Sequence, residues 1–232
     1  MKTILHYFII TIAVVLVASC AKDNYDAPSS SFSGRVTYKG EPLNIEDGSV
    51  RFQLWEKGWG KLSAIDVPIK QDGSFSAVLF DGNYKMTVPS GDGPFKTVSN
   101  GALKDTIEVS MRGSQTMDVE VLPYYMVRNA RFSQAAGKVT GTCTVEKIIT
   151  NGDARDVERV TLYINKSNFV SNGTQIANAN LEISPSTDWN NVSISVAVPD
   201  LVPRQDYVFA RIGVKIAGIE DMIFSPITKV QL

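Results

Sequence analysis

The chain has 232 residues, enough for one or two domains of ordinary size, and 44% of them are hydrophobic, which suffices for a packed core. Its 23 basic and 24 acidic side chains give a net charge of -1, so we expect no basic surface and no nucleic-acid partner. The chain contains one histidine and two cysteines, which excludes most nucleophilic and metal-dependent chemistry.

The N-terminus has the pattern of a secretion signal. Lys2 precedes a nearly continuous apolar run over residues 4–17, shorter than the roughly 20 apolar residues of a membrane-spanning helix. The run ends in VASC (residues 17–20), which resembles the lipobox of bacterial lipoproteins, where a peptidase cleaves before a diacylglycerol-modified cysteine. We therefore expect residues 1–19 to be a signal peptide and Cys20 to be the lipid attachment site, which would anchor the protein to a membrane. The alternative is an ordinary secretory signal with a coincidental cysteine.

The segment after Cys20 predicts where such an anchored protein resides. The sequence AKDNYD (residues 21–26) resembles the short charged signal with which Bacteroidetes lipoproteins reach the outer face of the outer membrane, although Asn24 replaces a common acidic residue. APSSS (residues 27–31) is typical of a flexible tether. We expect residues 20–32 to be a lipid-anchored tether and the protein to be displayed on the cell surface.

The remainder of the chain has the pattern of an all-β protein. Short alternating runs recur between glycine, proline, asparagine and aspartate, and no long stretch keeps a helical period. Pro123 separates two sets of runs, which predicts two tandem antiparallel β-sandwiches over residues 33–122 and 124–232. Strands of the first set are expected at residues 34–38, 49–56, 64–69, 74–80, 83–88, 105–110 and 117–122. Those of the second set are expected at residues 125–132, 138–145, 157–164, 177–183, 192–198, 207–215 and 224–230.

Several segments carry a family resemblance. GRVTYKGEPL (residues 34–43) and DGSF (residues 72–75, followed by GNY) resemble the transthyretin-like, or carboxypeptidase-regulatory-like, sandwich, in which this phenylalanine enters the core. With GPF (residues 93–95) and DVEVLPY (residues 118–124), they are similar to a Bacteroidetes lipoprotein family catalogued as domain of unknown function 3823. The family has no assigned activity. The resemblance implies an association with starch-utilisation-system-like transporters and their binding proteins.

The second set of strands resembles a fibronectin type III domain. LVP (residues 201–203) followed by Tyr207 resembles the tyrosine corner, in which a hydroxyl at the start of the sixth strand bonds back to the loop backbone. Ser225-Pro226 at the last strand fits the same comparison.

Most catalytic chemistry is excluded by composition. The one histidine, His6, lies in the predicted signal peptide, so no Ser-His-Asp, Cys-His or histidine-zinc site is expected in the mature chain. Cys143 lies on the apolar face of its strand and is expected to be a buried, inert thiol. Paired carboxylates remain compatible with glycoside hydrolysis, but Asp residues beside glycines are typical of turns. Asp153 and Asp156 flank a loop without EF-hand spacing, and we expect no metal, cofactor or enzyme activity.

The tryptophans give the candidate binding site. Alternation in VRFQLW (residues 50–55) puts Val50, Phe52 and Leu54 inside and leaves Trp55 on the outer face with Gln53. Trp59 follows between two glycines. Flat aromatic rings beside polar groups suit the stacking of pyranose rings, with Gln53, Glu56 and Lys61 as polar partners. In the alternative, Trp55 and Trp59 pack against the second domain or cap the sandwich edge. Trp189 could serve similarly or anchor its loop.

Two functions follow from these patterns. One is a surface-displayed outer-membrane lipoprotein that binds glycan as an accessory component of a polysaccharide-acquisition system. The other is a non-enzymatic module that braces an outer-membrane complex and has no glycan ligand, with the tryptophans in a protein interface. Exposed aromatic side chains suit either. The expected partners are a membrane through the lipid anchor, a polysaccharide and an outer-membrane transporter complex.

Overall fold

The computed structural model of the protein describes residues 26–58, 62–99, 101–103 and 105–232. In these ranges the regular structure consists of strands alone, which confirms the all-β prediction. The signal peptide at residues 1–19, the lipid attachment site Cys20, and the candidate site residues Trp59 and Lys61 lie outside the described residues. The described part of the chain includes no helix with the length and apolar character needed to cross a bilayer.

The strands up to and including Pro123 form two sheets that enclose the first core. They are β1 (Ser30–Tyr38), β2 (Glu41–Pro42), β3 (Arg51–Glu56), β4 (Ala64–Pro68), β5 (Ser74–Leu79), β6 (Gly82–Thr87), β7 (Phe95–Ser99), β8 (Ala102–Leu103), β9 (Thr106–Met111), β10 (Gln115–Thr116) and β11 (Val119–Pro123). One sheet has the order β4-β3-β6-β9, and the other has the order β10-β1-β11-β7-β8, with β2 and β5 also pairing with β1. Between the sheets, the Phe75 ring lies 5.3 Å from that of Phe32 and 5.1 Å from that of Phe52, measured between centroids. The predicted entry of Phe75 into the core is confirmed.

The first sandwich differs from the purely antiparallel prediction at its central strand. β1 pairs in parallel with both β10 and β11. Antiparallel neighbours can be joined by tight turns, whereas parallel strands need a long connection, here the chain that contains β2 to β9. The local turn signals in the sequence predict hairpins and contain no information about the parallel pairing of β10 and β11 with β1. Strands β7 and β8 were also missed.

The strands after Pro123 form the second sandwich. They are β12 (Tyr125–Ala135), β13 (Lys138–Lys147), β14 (Val157–Asn165), β15 (Ala177–Asn180), β16 (Val192–Ala197), β17 (Tyr207–Ile216), β18 (Ile223–Phe224) and β19 (Thr228–Gln231). One sheet has the order β12-β13-β16, and the other has the order β15-β14-β17-β18, with β19 also pairing with β17. The single strand predicted at residues 224–230 is divided around Pro226, which has no N–H for the ladder.

The predicted tyrosine corner is wrong at Tyr207. Its hydroxyl makes no hydrogen bond to the described residues. Its ring packs edge-on against Phe209, at 5.7 Å between centroids, and the Lys229 ammonium lies 3.7 Å from the centroid of the ring. A bond of this kind occurs in the first sandwich, where the Tyr84 hydroxyl at the start of β6 donates to the carbonyl oxygen of Phe80 at 3.0 Å. The motif therefore stabilises a corner of the other sandwich.

Cys143 is buried in the core of the second sandwich, as its strand parity predicts. Burial raises the pKa of its thiol to about 12, so the nucleophilic thiolate is scarce at neutral pH. In a Cys20→Ser variant, Cys143 is the remaining one of the two cysteines. We expect this variant to react negligibly with Ellman's reagent when native and to release one equivalent of thionitrobenzoate in denaturant. Rapid labelling of the native protein would contradict the buried position.

The first sandwich docks against the second. Alternation along β17 puts Ala210 and Ile212 in the second core and turns Arg211 to the opposite face of the sheet, where it is nevertheless 0% exposed. Its guanidinium donates to the carbonyl oxygens of Ile45 in the first sandwich, at 3.1 Å, and Val170 in the second, at 3.2 Å. The outer face of the β14–β17 sheet is therefore an interface between the two sandwiches.

Further contacts join the two sandwiches. The N–H of Phe224 donates to the carbonyl oxygen of Asn44 at 2.9 Å, and the Ser171 hydroxyl donates to the Glu46 carboxylate at 2.7 Å. The Arg211 guanidinium lies 4.0 Å from the centroid of the Phe224 ring. These contacts fix the first sandwich relative to the second. Trp55 lies in the β4-β3-β6-β9 sheet of the first sandwich.

Candidate functional site

Trp55 lies on the outer face of the four-stranded sheet. Phe52 and Leu54 are buried in the core, whereas Trp55 is half-buried. In the ladder, Trp55 lies between Ala64 of β4 and Lys85 of β6. The described residues that line the cleft around it all belong to the first sandwich.

The indole of Trp55 is held in place by a threonine. Its Nε1 donates to the hydroxyl oxygen of Thr87 at 3.1 Å, and that hydroxyl lies 3.5 Å from the carbonyl oxygen of Gln53, to which it donates. The hydrogen bond uses the polar edge of the indole. What remains is an aromatic surface in a fixed orientation, which costs little conformational entropy when a ligand stacks on it.

Polar side chains surround Trp55 in a cleft of about 850 Å³. The size is in the range of small-ligand sites. Cross-strand pairs of β6 and β9 contribute polar side chains to its floor: Asn83 with Ser110, Lys85 with Glu108, and Thr87 with Thr106. Hydroxyl, amide, ammonium and carboxylate groups are thus within one cleft beside an aromatic ring.

Glu56 lies at the edge of this cleft. A Cβ atom added to Gly82 would overlap the Glu56 carboxylate, so glycine at position 82 leaves room for that side chain. Burial, followed by the negative charge of Glu56, raises the pKa of Tyr84 to about 12. The phenol of Tyr84, which is protonated at neutral pH, donates to the carbonyl oxygen of Phe80.

The structure does not bring Gln53 into the cleft. Its side-chain amide donates to the Asp66 carboxylate at 3.2 Å, and the Arg51 guanidinium lies 3.7 Å from the other oxygen of that carboxylate. Of the predicted site residues, Trp55 and Glu56 line the cleft. Trp59 and Lys61 lie outside the described residues.

Lys85, Glu108, Asn83 and Ser110 were missed by the sequence reasoning. The alternation of β6 and β9 places them on the outer faces of those strands, but which strand lies beside β3 is not a local property. The β3–β6 and β6–β9 registers bring them to Trp55. The sequence did contain one indication: strand alternation places these four side chains, like Trp55, on the face of their strands that points away from the core.

Trp189 lines a second cleft, of about 500 Å³, at one end of the second sandwich. Its carbonyl oxygen accepts a hydrogen bond from the N–H of Val145 at 2.7 Å, and its ring packs against the core. The walls of this cleft include Tyr125, Ile183 and Pro185. Trp189 thus anchors its loop while it contributes to a largely apolar recess.

The acidic residues considered for catalysis or calcium have local partners. Hydrogen bonds from the Ser30 hydroxyl and the Gly113 N–H lower the pKa of Asp81. The Lys96 ammonium lies 2.6 Å from the Asp153 carboxylate, and its hydrogen bond and charge lower the pKa of that carboxyl group. The Lys147 ammonium lies 3.6 Å from the Asp156 carboxylate. The described ranges contain no group of three or more potential metal ligands.

Two family profiles cover the described sandwiches. The profile described as the N-terminal domain of a protein of unknown function, DUF3823, matches residues 30–122. The profile described as a domain of unknown function, DUF3823_C, matches residues 125–229. The comparison with curated proteins gives no match.

Solved structures share this architecture across both sandwiches. A DUF3823 family protein from Bacteroides ovatus is 31% identical, with a TM-score of 0.76 over 88% of this chain and 100% of that one. A DUF3823 family protein from Parabacteroides merdae is also 31% identical, with a TM-score of 0.75 over 89% and 100%. A Bacteroides uniformis protein, provisionally described as carbohydrate binding, is 16% identical and shares the fold, with a TM-score of 0.71 over 89% and 100%.

Proposed function

The chain belongs to the DUF3823 family, and we propose that it is a surface-displayed outer-membrane lipoprotein that binds glycan in the Trp55 cleft. In this proposal it is an accessory component of a polysaccharide-acquisition system and has no enzyme activity of its own. The observation that carries the proposal is a fixed indole on an open sheet face among polar side chains.

The chemistry of the cleft supports a sugar ligand. One face of a pyranose ring presents C–H groups that pack on an aromatic ring, and its hydroxyls require hydrogen-bond partners. Trp55 provides the ring, and Lys85, Glu108, Asn83 and Ser110 provide donors and acceptors. The provisional description of the Bacteroides uniformis neighbour as carbohydrate binding agrees with this proposal.

Removal of the indole tests glycan binding. In affinity electrophoresis against a polysaccharide panel, we expect at least one glycan to retard the protein. A Trp55→Ala variant, alone or combined with Trp59→Ala, is expected to weaken that retardation about tenfold or more, equivalent to about 1.4 kcal/mol of binding free energy. Tyr207→Ala is the matched control, because it removes a half-buried ring from the second sandwich and leaves the cleft intact.

Three outcomes would contradict this assignment. Binding that survives the loss of Trp55 would place the ligand elsewhere, and absence of retardation by every glycan would remove the proposed activity. Reducing ends released by the purified protein would make it a hydrolase.

The bracing function is favoured by a different observation, the extensive docking of the two sandwiches through Arg211 and Phe224. A rigid pair of domains is suited to hold neighbouring proteins at a fixed spacing. A pull-down of the outer-membrane complex distinguishes the two functions. Release of a protein partner by Trp55→Ala, without any glycan retardation, would favour the bracing function.

The lipid anchor and the surface location have their own test. A radiolabelled lipid precursor is expected to label the protein, and Cys20→Ser is expected to abolish the label. Protease added to intact cells is expected to digest the protein. Its survival would place the protein on the periplasmic side of the membrane.

A further inference from the structure

Aliphatic side chains surround the point at which the N-terminal segment meets the first sandwich. Ile65 in β4 and Val78 in β5 are 43% and 61% exposed, and they line a shallow cleft of about 230 Å³ together with Pro28. Leu62 is 56% exposed and lines the adjacent Trp55 cleft. We name Ile65 and Val78, which line the same cleft, the aliphatic patch. Exposed aliphatic side chains that cluster in this way mark an interaction surface.

The patch lies along an open edge of the sandwich. Among the described strands, β4 pairs with β3 alone and β5 pairs with β1 alone, and a single bridge between Ile69 and Phe75 joins the end of β4 to the start of β5. Edge strands of soluble proteins are usually protected by charged side chains or by an overlying segment. Ile65 and Val78 provide no charge at this edge, and the one charged side chain of β4, Asp66, pairs with Arg51 and Gln53 of β3.

The length of the chain before the patch indicates what covers it. Pro28 follows Cys20 by eight residues. At no more than about 3.6 Å per residue, the chain keeps Pro28 within about 29 Å of Cys20. An acylated Cys20 would lie at the membrane surface, so the sandwich edge that contains Pro28 is the part of the protein that the anchor holds nearest to the lipid.

We propose that the aliphatic patch rests on the lipid surface that holds the acyl anchor. This inference depends on the lipidation of Cys20 in the proposed function. The contact needs little affinity of its own, because the tether makes it intramolecular and gives it a high effective concentration. A lipid anchor and a second membrane contact in the same protein reinforce each other's binding for this reason.

The contact would place the glycan cleft beside the membrane. Glu56 and Tyr84 line both the cleft of Pro28 and the Trp55 cleft, so the two clefts adjoin. The protein would then bind its glycan close to the lipid surface, where an outer-membrane transporter opens.

Fluorescence quenching in vesicles tests the contact. A Val78→Cys variant of the full-length, lipidated protein is labelled with bimane, since Cys20 is acylated and Cys143 is buried. The matched control is Val202→Cys, because Val202 is also an exposed valine, 80% accessible, but lies in the second sandwich. Both proteins are incorporated in phosphatidylethanolamine–phosphatidylglycerol vesicles that contain a lipid with a nitroxide near the headgroup.

We expect the nitroxide lipid to quench most of the bimane fluorescence at position 78 and little of it at position 202. Vesicle flotation is measured on the same samples. Protein that floats with the vesicles but is not quenched preferentially at position 78 would overturn this proposal and leave the anchor intact. Protein that does not float would overturn the anchor, and this proposal with it.

Discussion

An Arg211→Ala variant is expected to lose about 3 kcal/mol of unfolding free energy, because the truncation opens a cavity between the two sandwiches. It also leaves the carbonyl oxygens of Ile45 and Val170 without their donor, and a buried unsatisfied group costs about 1–3 kcal/mol. Part of this cost is offset. Burial, against the attraction of the negatively charged Glu46 and Asp47, lowers the pKa of the Arg211 guanidinium to about 9, so removing the side chain also removes the cost of desolvating its charge.

A second substitution separates the two contributions. Arg211→Met fills most of the same space, relieves the buried charge and still removes both hydrogen bonds, so its loss of stability is expected to be smaller than that of Arg211→Ala. Urea unfolding with linear extrapolation measures both. Arg131→Ala is the control, since Arg131 is exposed on β12 and should change stability by less than about 0.5 kcal/mol. An Arg211→Ala variant as stable as the control would show that the docking does not depend on this side chain.

Local alternation predicted the strands and their faces well. Phe52 and Leu54 are buried, and so are Val160, Leu162 and Ile164, because side chains along a strand alternate between faces regardless of what lies further along the chain. The same rule put Trp55 outside. Each of these predictions needed a window of only a few residues.

The features that were missed depend on pairs of residues far apart in sequence. The face of β14 opposite Val160, Leu162 and Ile164 is mostly polar in sequence, yet Thr161 and Tyr163 on that face are buried. Arg211 is buried for the same reason, which is the docked first sandwich. Gln53 was assigned to the site, but Asp66 of the neighbouring strand binds its amide. Register and docking decided these cases, and neither is encoded in a short pattern.

A Gly34→Ala variant tests the central strand of the first sandwich and is expected to lose about 3 kcal/mol of unfolding free energy. Gly34 lies opposite Phe75 of β5, and the backbone of Met117 crosses it between β10 and β11. A Cβ atom at position 34 would overlap the carbonyl oxygen of Met117, and it would lie 2.7 Å from its carbonyl carbon and 2.9 Å from Cζ of Phe75. Backbone on one side and a packed ring on the other leave little room to relax.

The local pairing explains why the backbone approaches so closely. The parallel ladder of β1 is interrupted here. The N–H of Arg35 donates to the Asp118 carboxylate at 2.9 Å, and the N–H of Met117 donates to the carbonyl oxygen of Ser33 at 2.8 Å. Gly152→Ala is the matched control, because Gly152 has no atom within 4 Å of the added Cβ. We expect the control to change the unfolding free energy by less than about 0.5 kcal/mol. Equal stability of the two variants would mean that β1 and Met117 do not meet as described, and the parallel pairing of β1 with β11 would then be wrong.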